Sequence, residues 1–378
     1  MIVPRFLRAI PFALLAALLA ATSALAAAPR AAPKGVVGVI DNGSMGSKLK
    51  VIDAHGNILA EREVSTRIGR GLDADGLLKL ENRDRAIKGL RSLIRTARRF
   101  GLKPGDLEVV STAAVRNAKG FVPAASFAAG KRTGRQFNRD DLQERLGLKR
   151  ARVLSGAAEG RLGYLGAVLP LRATAKRGEK FLVLDFGGGS HQRTRGTARQ
   201  VISSESIQVG FNSLVDAHMV DATGQALESL PTGILDRLDA TLHEKVPHSA
   251  TQAIEVAGAR PVLSGGIGRY LAMKFGKEEI TRGDLEKLRI QLAVARPNRR
   301  GKVLLTDYRG KQLSAHDRGT VGLGGKTTFR DERVSFVATL SLVLHELEGD
   351  GLTRPTDKIL LTQSDVREEI ARARLGGP

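Results

Sequence analysis

Two stretches of sequence decide the fold, VVGVIDNGS at residues 36–44 and FLVLDFGGGS at residues 181–190. Each is an apolar run that ends in an aspartate, one further residue and a glycine. Such runs predict buried strands, and the glycines after them predict tight turns. The pattern recurs 144 residues apart, from Asp41 to Asp185, which is too long for the period of a solenoid repeat. It therefore predicts two similar α/β halves, each opening on a strand with a glycine turn at its end.

The glycine turns have the chemistry of phosphate-binding loops. Glycine lets the backbone approach a ligand closely, and the N–H groups of such a turn form a concavity that holds anions. The hydroxyls of Ser44 and Ser190 add donors, while the carboxylates of Asp41 and Asp185 can hold a hard cation directly or through water. A third turn, SGGIG at residues 264–268, follows another apolar run. The glycines predicted to contact phosphate are Gly43, Gly187, Gly188, Gly189, Gly265 and Gly266.

The repetition of these turns is what favours a phosphate-binding role over that of ordinary loops. One glycine turn alone is more often a tight loop without a ligand. Two such turns facing each other predict a clamp on one phosphoryl group, with Mg²⁺ between carboxylate and phosphate. The G-x-x-x-x-G-K-[ST] pattern of a P-loop is absent at these turns.

Periodicity predicts further elements around the turns. Residues 49–53 and 58–64 follow as two more strands, which makes the opening a β-meander. Residues 80–100 place apolar side chains at helical spacing, with arginines on the exposed face. Further helices are predicted at residues 155–168, 284–294 and 333–347, and further strands at residues 107–111 and 261–263. The basic segments 131–152 and 296–311 show no clear element.

The amino-acid composition indicates the size of the fold and the class of binding partner. The chain has 378 residues, 42% of them hydrophobic, which is enough for about two folded domains. Sixty Lys and Arg against 39 Asp and Glu give a net charge of +21, which favours a polyanionic partner such as polyphosphate. A general role in solubility is the alternative reading of this charge. No helix-turn-helix, zinc-finger or RNP signal indicates a specific nucleic-acid partner, and the lack of cysteine excludes disulfides and thiolate metal sites.

The N-terminus has the three parts of a secretory signal peptide, predicted at residues 1–28 with a lead-in at residues 29–35. Arg5 and Arg8 precede an apolar run of about ten residues, and small residues follow at 24–28. The run is short of the about 20 residues that a membrane span needs, so no span is expected after signal cleavage. An uncleaved anchor is the competing reading. We expect a bacterial protein in the periplasm or secreted.

Six stretches, in order along the chain, resemble the motifs of the exopolyphosphatase / guanosine pentaphosphate phosphatase (Ppx/GppA) family. They are VIDNGS at 39–44, RIGRGL at 67–72, STAAVRNA at 111–118, LSGAAEGRLGYLG at 154–166, LDFGGGS at 184–190 and LTQSDVREE at 361–369. The resemblance implies two actin-like (RNase H-like) ATPase-superfamily α/β domains with an interdomain cleft. We expect domain I at residues 36–160 and domain II at residues 161–378, with part of the C-terminal helices returning to domain I as a variant of that division.

The resemblance also implies an activity and roles for particular residues. It implies hydrolysis of phosphoanhydride bonds, with Mg²⁺ or Mn²⁺ as cofactor. Glu159 matches the glutamate that activates the attacking water, although a carboxylate at a helix start can also simply interact with the helix dipole. Asp41 and Asp185 are the expected metal ligands. The remaining residues expected to bind phosphate are Ser44, Lys48, Arg67, Thr112, Arg116 and Ser190.

Several positions depart from the family pattern. Met45 and Gly46 stand where the family has Asn and Ser, and Gln192 replaces a glutamate that helps to hold the metal. His191 can donate to phosphate and offset that loss, although a lone histidine here is more often a hydrogen-bonding residue. We therefore expect an exported phosphohydrolase acting on polyphosphate. The alternative is a degenerate member that binds polyphosphate or another polyanion without hydrolysis. An actin-like kinase fits less well, and a homodimer is compatible with the sequence.

Overall fold

The computed structural model describes residues 35–69, 72, 76–119, 130–219, 230–248, 258–295, 306–309, 311 and 329–376. The predicted signal peptide, most of the lead-in, Arg70 and Gly71 lie outside the described residues. Within these ranges, no helix is both long and apolar enough to cross a membrane.

The central strand of the first sheet carries Asp41. The five strands of this sheet lie in the order β3-β2-β1-β4-β5. They are β1 (Val37–Asn42), β2 (Gly46–Ile52), β3 (Ile58–Ser65), β4 (Glu108–Ser111) and β5 (Arg150–Val153). Strand β1 pairs antiparallel with β2 and parallel with β4. The predicted meander is therefore confirmed, and the carboxyl ends of β1, β4 and β5 meet at one edge.

The second sheet repeats this arrangement around the strand that carries Asp185. Its six strands lie in the order β10-β11-β9-β6-β7-β8. They are β6 (Lys180–Phe186), β7 (His191–Thr197), β8 (Val201–Ile207), β9 (Arg260–Leu263), β10 (Glu279–Thr281) and β11 (Lys358–Leu361). Strand β6 pairs antiparallel with β7 and parallel with β9. Both sheets thus combine a three-stranded meander with parallel strands beside its first strand, which confirms the predicted repeat.

Helices cover the sheets and complete two main cores. In chain order they are α1 (Leu80–Arg98), α2 (Ala113–Asn117), α3 (Gly134–Gln136), α4 (Gly156–Val168), α5 (Phe211–His218), α6 (Ile234–Lys245), α7 (Gly265–Phe275), α8 (Arg282–Val294), α9 (Phe329–Gly349) and α10 (Val366–Arg374). The apolar face of α1, including Ile87, Leu90 and Leu93, packs against β1 and β2. The second core gathers α5 to α9 against β6 and β9.

The segment from 131 to 152 was predicted to lack a clear element, and that prediction is wrong. A π-helix, Phe137–Arg145, follows α3 directly, and β5 begins at Arg150. Phe137 and Leu142 are fully buried in the first core, so a few apolar anchors fix a segment that is otherwise polar. The wider hydrogen-bond spacing of a π-helix shifts those anchors off the 3.6-residue period by which helices are recognised in a sequence.

The C-terminal helix α10 packs on the first half of the molecule. Its Val366 and Ile370 share a cluster with Val39 on β1 and Val110 on β4. Helix α4 lies beside it, and the two helices approach closely because Gly166 of α4 has no side chain. A Cβ there would lie 2.2 Å from the carbonyl oxygen of Asp365. The predicted boundary near residue 160 stays a prediction, since α4 also lies against strands of the second sheet.

We predict that Gly166→Ala destabilises the protein through this contact. Overpacking against a backbone carbonyl costs about 3 kcal/mol, which exceeds the about 1 kcal/mol that alanine gains over glycine in a helix. Urea unfolding should show a lower midpoint. Gly105→Ala is the matched control, because its Cβ would have no neighbour closer than 3.9 Å. Equal midpoints for the two variants would contradict the packing argument.

Candidate active site

A cavity of about 160 Å³ lies between the two sheets, at the ends of β1 and β6. It gathers nearly all the residues that the sequence predicts for the site. Those lining it are Asp41, Gly43, Ser44, Lys48, Arg67, Thr112, Glu159, Asp185, Gly187, Gly188, Gly189, Ser190, Gln192, Gly265 and Gly266. Met45 and Gly46, the departures in the first loop, line it as well.

The two glycine loops have the same local geometry. The Gly43 N–H donates to the Gly46 carbonyl at 2.9 Å, and the Gly187 N–H donates to the Ser190 carbonyl at 2.9 Å. The loops also touch, because a Cβ on Gly189 would lie 2.8 Å from the Ser44 hydroxyl oxygen. The two loops therefore meet at the cavity, and a Cβ at Gly189 would require the Ser44 hydroxyl to move.

The third glycine turn packs against the aspartate of the second loop. Gly265 has φ +66°, and a Cβ there would lie 2.6 Å from Asp185 Oδ1. This left-handed conformation favours glycine. The turn thus closes the cavity behind Asp185 and opens helix α7.

Glu159 lies in the first turn of α4, where Ser155 caps the helix by accepting the Ala158 N–H at 3.2 Å. The Arg116 guanidinium donates to Glu159 Oε2 at 2.7 Å and to the Leu154 carbonyl at 3.1 Å. Burial raises the pKa of Glu159 to about 7, against the opposing effect of Arg116. The carboxyl group is therefore held in place and can exchange a proton near neutral pH.

The sequence predicts that Arg116 pairs with phosphate, whereas its guanidinium donates to groups of the protein in the structure. Its closest partner is Glu159, and its contact with the Ser190 hydroxyl is long, at 3.5 Å. It is not among the residues that line the cavity. Its place in the structure is that of a positioning residue for the Glu159 carboxylate.

Asp41 and Asp185 sit at the ends of the two central strands as buried carboxyl groups. Burial raises the pKa of both, that of Asp185 to about 6, while the charge of Lys48 opposes the shift. Asp41 Oδ1 is buried without a hydrogen-bond partner. A divalent cation would satisfy this oxygen and relieve the repulsion between the two groups, so the residues present fit Mg²⁺ or Mn²⁺.

The number of protein ligands is also adequate for such a cation. Among the residues that the structure describes, no group of three or more His, Asp or Glu is arranged to hold a metal. Mg²⁺ in phosphate-transferring sites is commonly held by one or two carboxylates, with substrate oxygens and water completing the shell. Asp41 and Asp185 meet that requirement.

Arg67 has an unusual backbone conformation at the cavity wall. Its φ is +47°, the only positive value at a non-glycine residue in the described part of the chain. The Met45 carbonyl accepts the N–H groups of both Thr66 and Arg67, at 3.0 and 2.9 Å, which holds this strained turn against the first loop. Strain of about 1–3 kcal/mol is typical of residues fixed at functional sites.

His191 does not reach the cavity, so the prediction that it can donate to phosphate is wrong. Its Nδ1 lies 2.6 Å from the Val209 carbonyl, its Nε2 lies 2.9 Å from Glu346 Oε1, and the ring stacks on Phe186. Successive side chains of a strand point to opposite faces. Since Ser190 and Gln192 face the cavity, the residue between them faces the second core.

Sequence reasoning missed two acidic residues in the cavity, Glu63 on β3 and Asp365 before α10. Burial raises the pKa of Glu63 to about 7. Burial alone would also raise the pKa of Asp365, but Arg367 and Lys50 hold it well below its usual range. Glu63 carries no motif signal and could be found only from the pairing of β3 with β2, whereas Asp365 lies inside a recognised motif.

Asp365 belongs to a buried ion-pair network that joins both halves. The Arg367 guanidinium donates to Asp365 and, at 2.9 Å, to Glu61 of β3. Arg269 of α7 donates to the same Glu61 at 2.6 Å. Lys50 pairs with Glu368. The network lies beneath the cavity and ties the end of the chain to both sheets.

Comparison with known proteins places this arrangement in a family. Residues 49–312 match the model of the Ppx/GppA phosphatase family, which is well over half of the chain. The protein therefore belongs to this family, whose members are phosphoanhydride hydrolases, and the predicted resemblance is confirmed.

Solved structures of similar proteins agree on the fold. A Ppx/GppA family member from Aquifex aeolicus has a TM-score of 0.60 at 19% identity, covering 91% of this chain and 98% of its own. An exopolyphosphatase from Cytophaga hutchinsonii has a TM-score of 0.64 at 17% identity, covering 91% and 99%. With the repeated strand order, these likenesses confirm the two actin-like α/β domains with a cleft between them.

We predict that phosphate release by the protein depends on the ionisation of Glu159. A general base acts as the carboxylate, so kcat/KM should fall as the pH drops through the pKa of Glu159, about 7. The measurement is a profile of kcat/KM from pH about 5.5 to about 8.5. A profile that stays flat on its acid side across this range would contradict the assignment.

Proposed function

We propose that the protein is a divalent-metal-assisted phosphohydrolase that cleaves phosphoanhydride bonds of inorganic polyphosphate outside the cytoplasm. The observation that carries this proposal is the position of Glu159. It lies in one cavity with both glycine loops and both strand-end aspartates, and its pKa is near neutrality. This is the arrangement needed to orient a water for attack on a held phosphoryl group.

The loops supply the binding part of the reaction. Backbone N–H groups of the two glycine loops, with the hydroxyls of Ser44 and Ser190, would hold the oxygens of the terminal phosphoryl group. Lys48 and Arg67 line the same cavity and would offset phosphate charge. Because the loops are in contact before substrate arrives, these donors would need little rearrangement.

Glu159 supplies the proton-transfer part. Its carboxylate would accept a proton from the attacking water, while Arg116 holds it in place. A divalent cation held by Asp41 and Asp185 would neutralise the charge that builds up on the phosphate oxygens. Without that cation, the carboxylates of the cavity would repel a polyanion, so we expect turnover to depend on the metal.

Polyphosphate is favoured as substrate by charge and by the proposed location. The net charge of +21 attracts a long polyanion. The signal-like segment at residues 1–28 supports export, and guanosine pentaphosphate is a cytoplasmic nucleotide. The basic charge and the leader together therefore favour polyphosphate or another phosphoanhydride outside the cytoplasm.

A binding protein without turnover is the second candidate, and Gln192 favours it. Its amide donates to the Ser190 and Ser206 hydroxyls, at 3.0 and 3.4 Å, where the family pattern has a metal-binding carboxylate. A cation bound less firmly at this site would leave the phosphate clamp intact and slow the reaction.

Phosphate release from medium-chain polyphosphate with Mg²⁺ or Mn²⁺ separates the two candidates. We expect release by the wild type and a loss of about 100-fold or more in Glu159→Gln, the usual contribution of a general base. Glu205→Gln is the matched control, because Glu205 is an exposed residue of β8 outside the cavity. No release by the wild type, together with salt-sensitive polyphosphate binding, would establish the binding protein instead.

Export has its own test. We expect the chain expressed in a bacterial host to be recovered in the periplasm or medium, with an N-terminus near residue 29. N-terminal sequencing of the recovered protein is the measurement. A protein that keeps residues 1–28 and stays in the cytoplasm would contradict export, and the hydrolytic assay would be unaffected by that result.

A further inference from the structure

The solvent face of α1 carries a continuous row of cations. The row consists of Lys88, Arg91, Arg95, Arg98 and Arg99, which are all exposed. They recur every three or four residues, so they are neighbours on one side of the helix. The opposite side of α1 is buried in the first core. This row, the basic face of α1, is about 16 Å long at a rise of about 1.5 Å per residue.

The basic face has no counter-charge of its own. The two acidic residues of α1, Glu81 and Asp84, both precede it, and residues 88–99 contain no acid. Within the part of the chain that the structure describes, none of its cations forms an ion pair or a side-chain hydrogen bond. By contrast, Arg260 on the second sheet pairs with Glu179 at 2.8 Å. The basic face is therefore an uncompensated patch of positive charge.

The stability of α1 does not account for this patch. Cations in the last turn of a helix interact favourably with its dipole, and Arg95 and Arg98 lie there. Lys88 and Arg91 lie nearer the middle of the helix, beyond the reach of that effect. Like charges four residues apart, as at Arg91 and Arg95, destabilise a helix. An anionic partner on the basic face would relieve this repulsion.

The basic face begins near the cavity and leads away from it. Arg85, just before the row, donates to the Thr66 carbonyl at 3.4 Å, and Arg67 beside it lines the cavity. Farther along the helix, the Thr96 hydroxyl accepts from Arg62 at 3.0 Å. Helix α1 therefore runs back along β3, from the cavity end of the strand outwards.

The chemistry of the basic face fits a polyanion that offers charge alone. Single-stranded nucleic acid is held by aromatic side chains on which its bases stack as well as by cations, and residues 88–99 contain no aromatic residue. A helix that lies on a membrane surface turns its apolar side to the lipid, whereas the apolar side of α1 is packed in the core. Polyphosphate presents a negative charge at every phosphate, which a row of cations matches.

We propose that the basic face of α1 binds the trailing part of a polyphosphate chain whose terminal phosphoryl group lies in the cavity. The inference rests on the proposed function for its substrate and extends that function to an outer surface. The cations of the row hold successive phosphates as the chain leaves the cavity. A short phosphoanhydride does not reach the row, so the basic face favours long chains over short ones.

Polyphosphate binding to the full chain carrying Glu159→Gln, with Mg²⁺ present, tests the proposal without turnover. End-labelled long-chain polyphosphate is followed by fluorescence anisotropy, and tripolyphosphate by titration calorimetry. We expect the triple variant Lys88→Gln, Arg91→Gln, Arg95→Gln to bind the long chain about tenfold more weakly, since it loses three exposed charge contacts. Binding of tripolyphosphate should stay unchanged.

Salt dependence gives a second measurement on the same variants. Each contact with a single-stranded polyanion contributes about 0.7 to the slope of log affinity against log salt concentration. The slope for long-chain polyphosphate should therefore be smaller by about 2 in the triple variant. The slope for tripolyphosphate should be the same with and without the three substitutions.

Two controls separate the basic face from net charge and from folding. Lys176, Arg177 and Lys180 are exposed at and just before the start of β6, the end of that strand remote from the cavity. Lys176→Gln, Arg177→Gln and Lys180→Gln together remove as many positive charges and should leave long-chain binding nearly unchanged. The pair Arg91→Lys, Arg95→Lys keeps the charge and should bind long chains normally. Thermal unfolding checks that every variant is folded.

Several outcomes would overturn the proposal. They are unchanged long-chain binding in the folded triple variant, an equal loss of tripolyphosphate binding, and an equal effect of the control substitutions before β6. Single-stranded DNA and phosphatidylglycerol vesicles are tested alongside. If the wild type binds either of them more tightly than polyphosphate, and the triple variant loses that binding, the basic face belongs to that partner instead.

The measurements also separate this proposal from the hydrolytic one. Selective loss of long-chain binding in the triple variant would support the basic face even if the wild type releases no phosphate. Conversely, phosphate release by the wild type together with unchanged long-chain binding in the triple variant would retain the hydrolytic function and remove the role of the basic face.

Discussion

The contact between two glycine loops is the constraint on which the rest of the structure depends. A Cβ on Gly189 would lie 2.8 Å from the hydroxyl oxygen of Ser44, so the loops that follow the two central strands pack closely against each other. In each sheet, the central strand that precedes the loop has the rest of its meander on one side and parallel strands on the other. The position of the cavity, and of every group that lines it, follows from this meeting of two backbones.

The close approach of the two loops also explains the unusual pKa values of the carboxyl groups in the site. Five carboxyl groups line one cavity of about 160 Å³, those of Asp41, Glu63, Glu159, Asp185 and Asp365. Burial raises the pKa of four of them, and ion pairs lower it in the fifth. The fold thus buries carboxylates whose negative charge is energetically unfavourable unless a cation or a proton neutralises it. Such sites are stabilised by their surroundings, here by the buried pairs of Arg367, Lys50 and Arg269.

The sequence allowed the fold and most of the site to be predicted because both depend on local patterns. An apolar strand followed by Asp-x-Gly identifies its own turn, and Glu159 follows its helix cap at fixed spacing. The contacts of His191, Arg116 and Glu63 depend on tertiary structure that local sequence patterns do not show. The sheet face on which His191 lies depends on the register of its strand. The partner of Arg116, Glu159, lies 43 positions away in the sequence. Glu63 lies at the cavity because β3 pairs with β2, which the sequence around Glu63 does not show. The π-helix at Phe137–Arg145 escaped notice because its anchors do not follow the usual helical period.

The return of the C-terminal helix has a consequence for how the protein is made. Lys50 and Glu368 pair although they are 318 positions apart, and α10 completes an apolar cluster with β1 and β4. At about 5–20 residues per second, a ribosome needs roughly 15 to 60 seconds to cover that interval. Until then, the apolar cluster of the first sheet lacks Val366 and Ile370, and Lys50 has Glu61 nearby but lacks Asp365 and Glu368. The first half of the molecule can therefore complete its fold only when the last helix of the described chain is available.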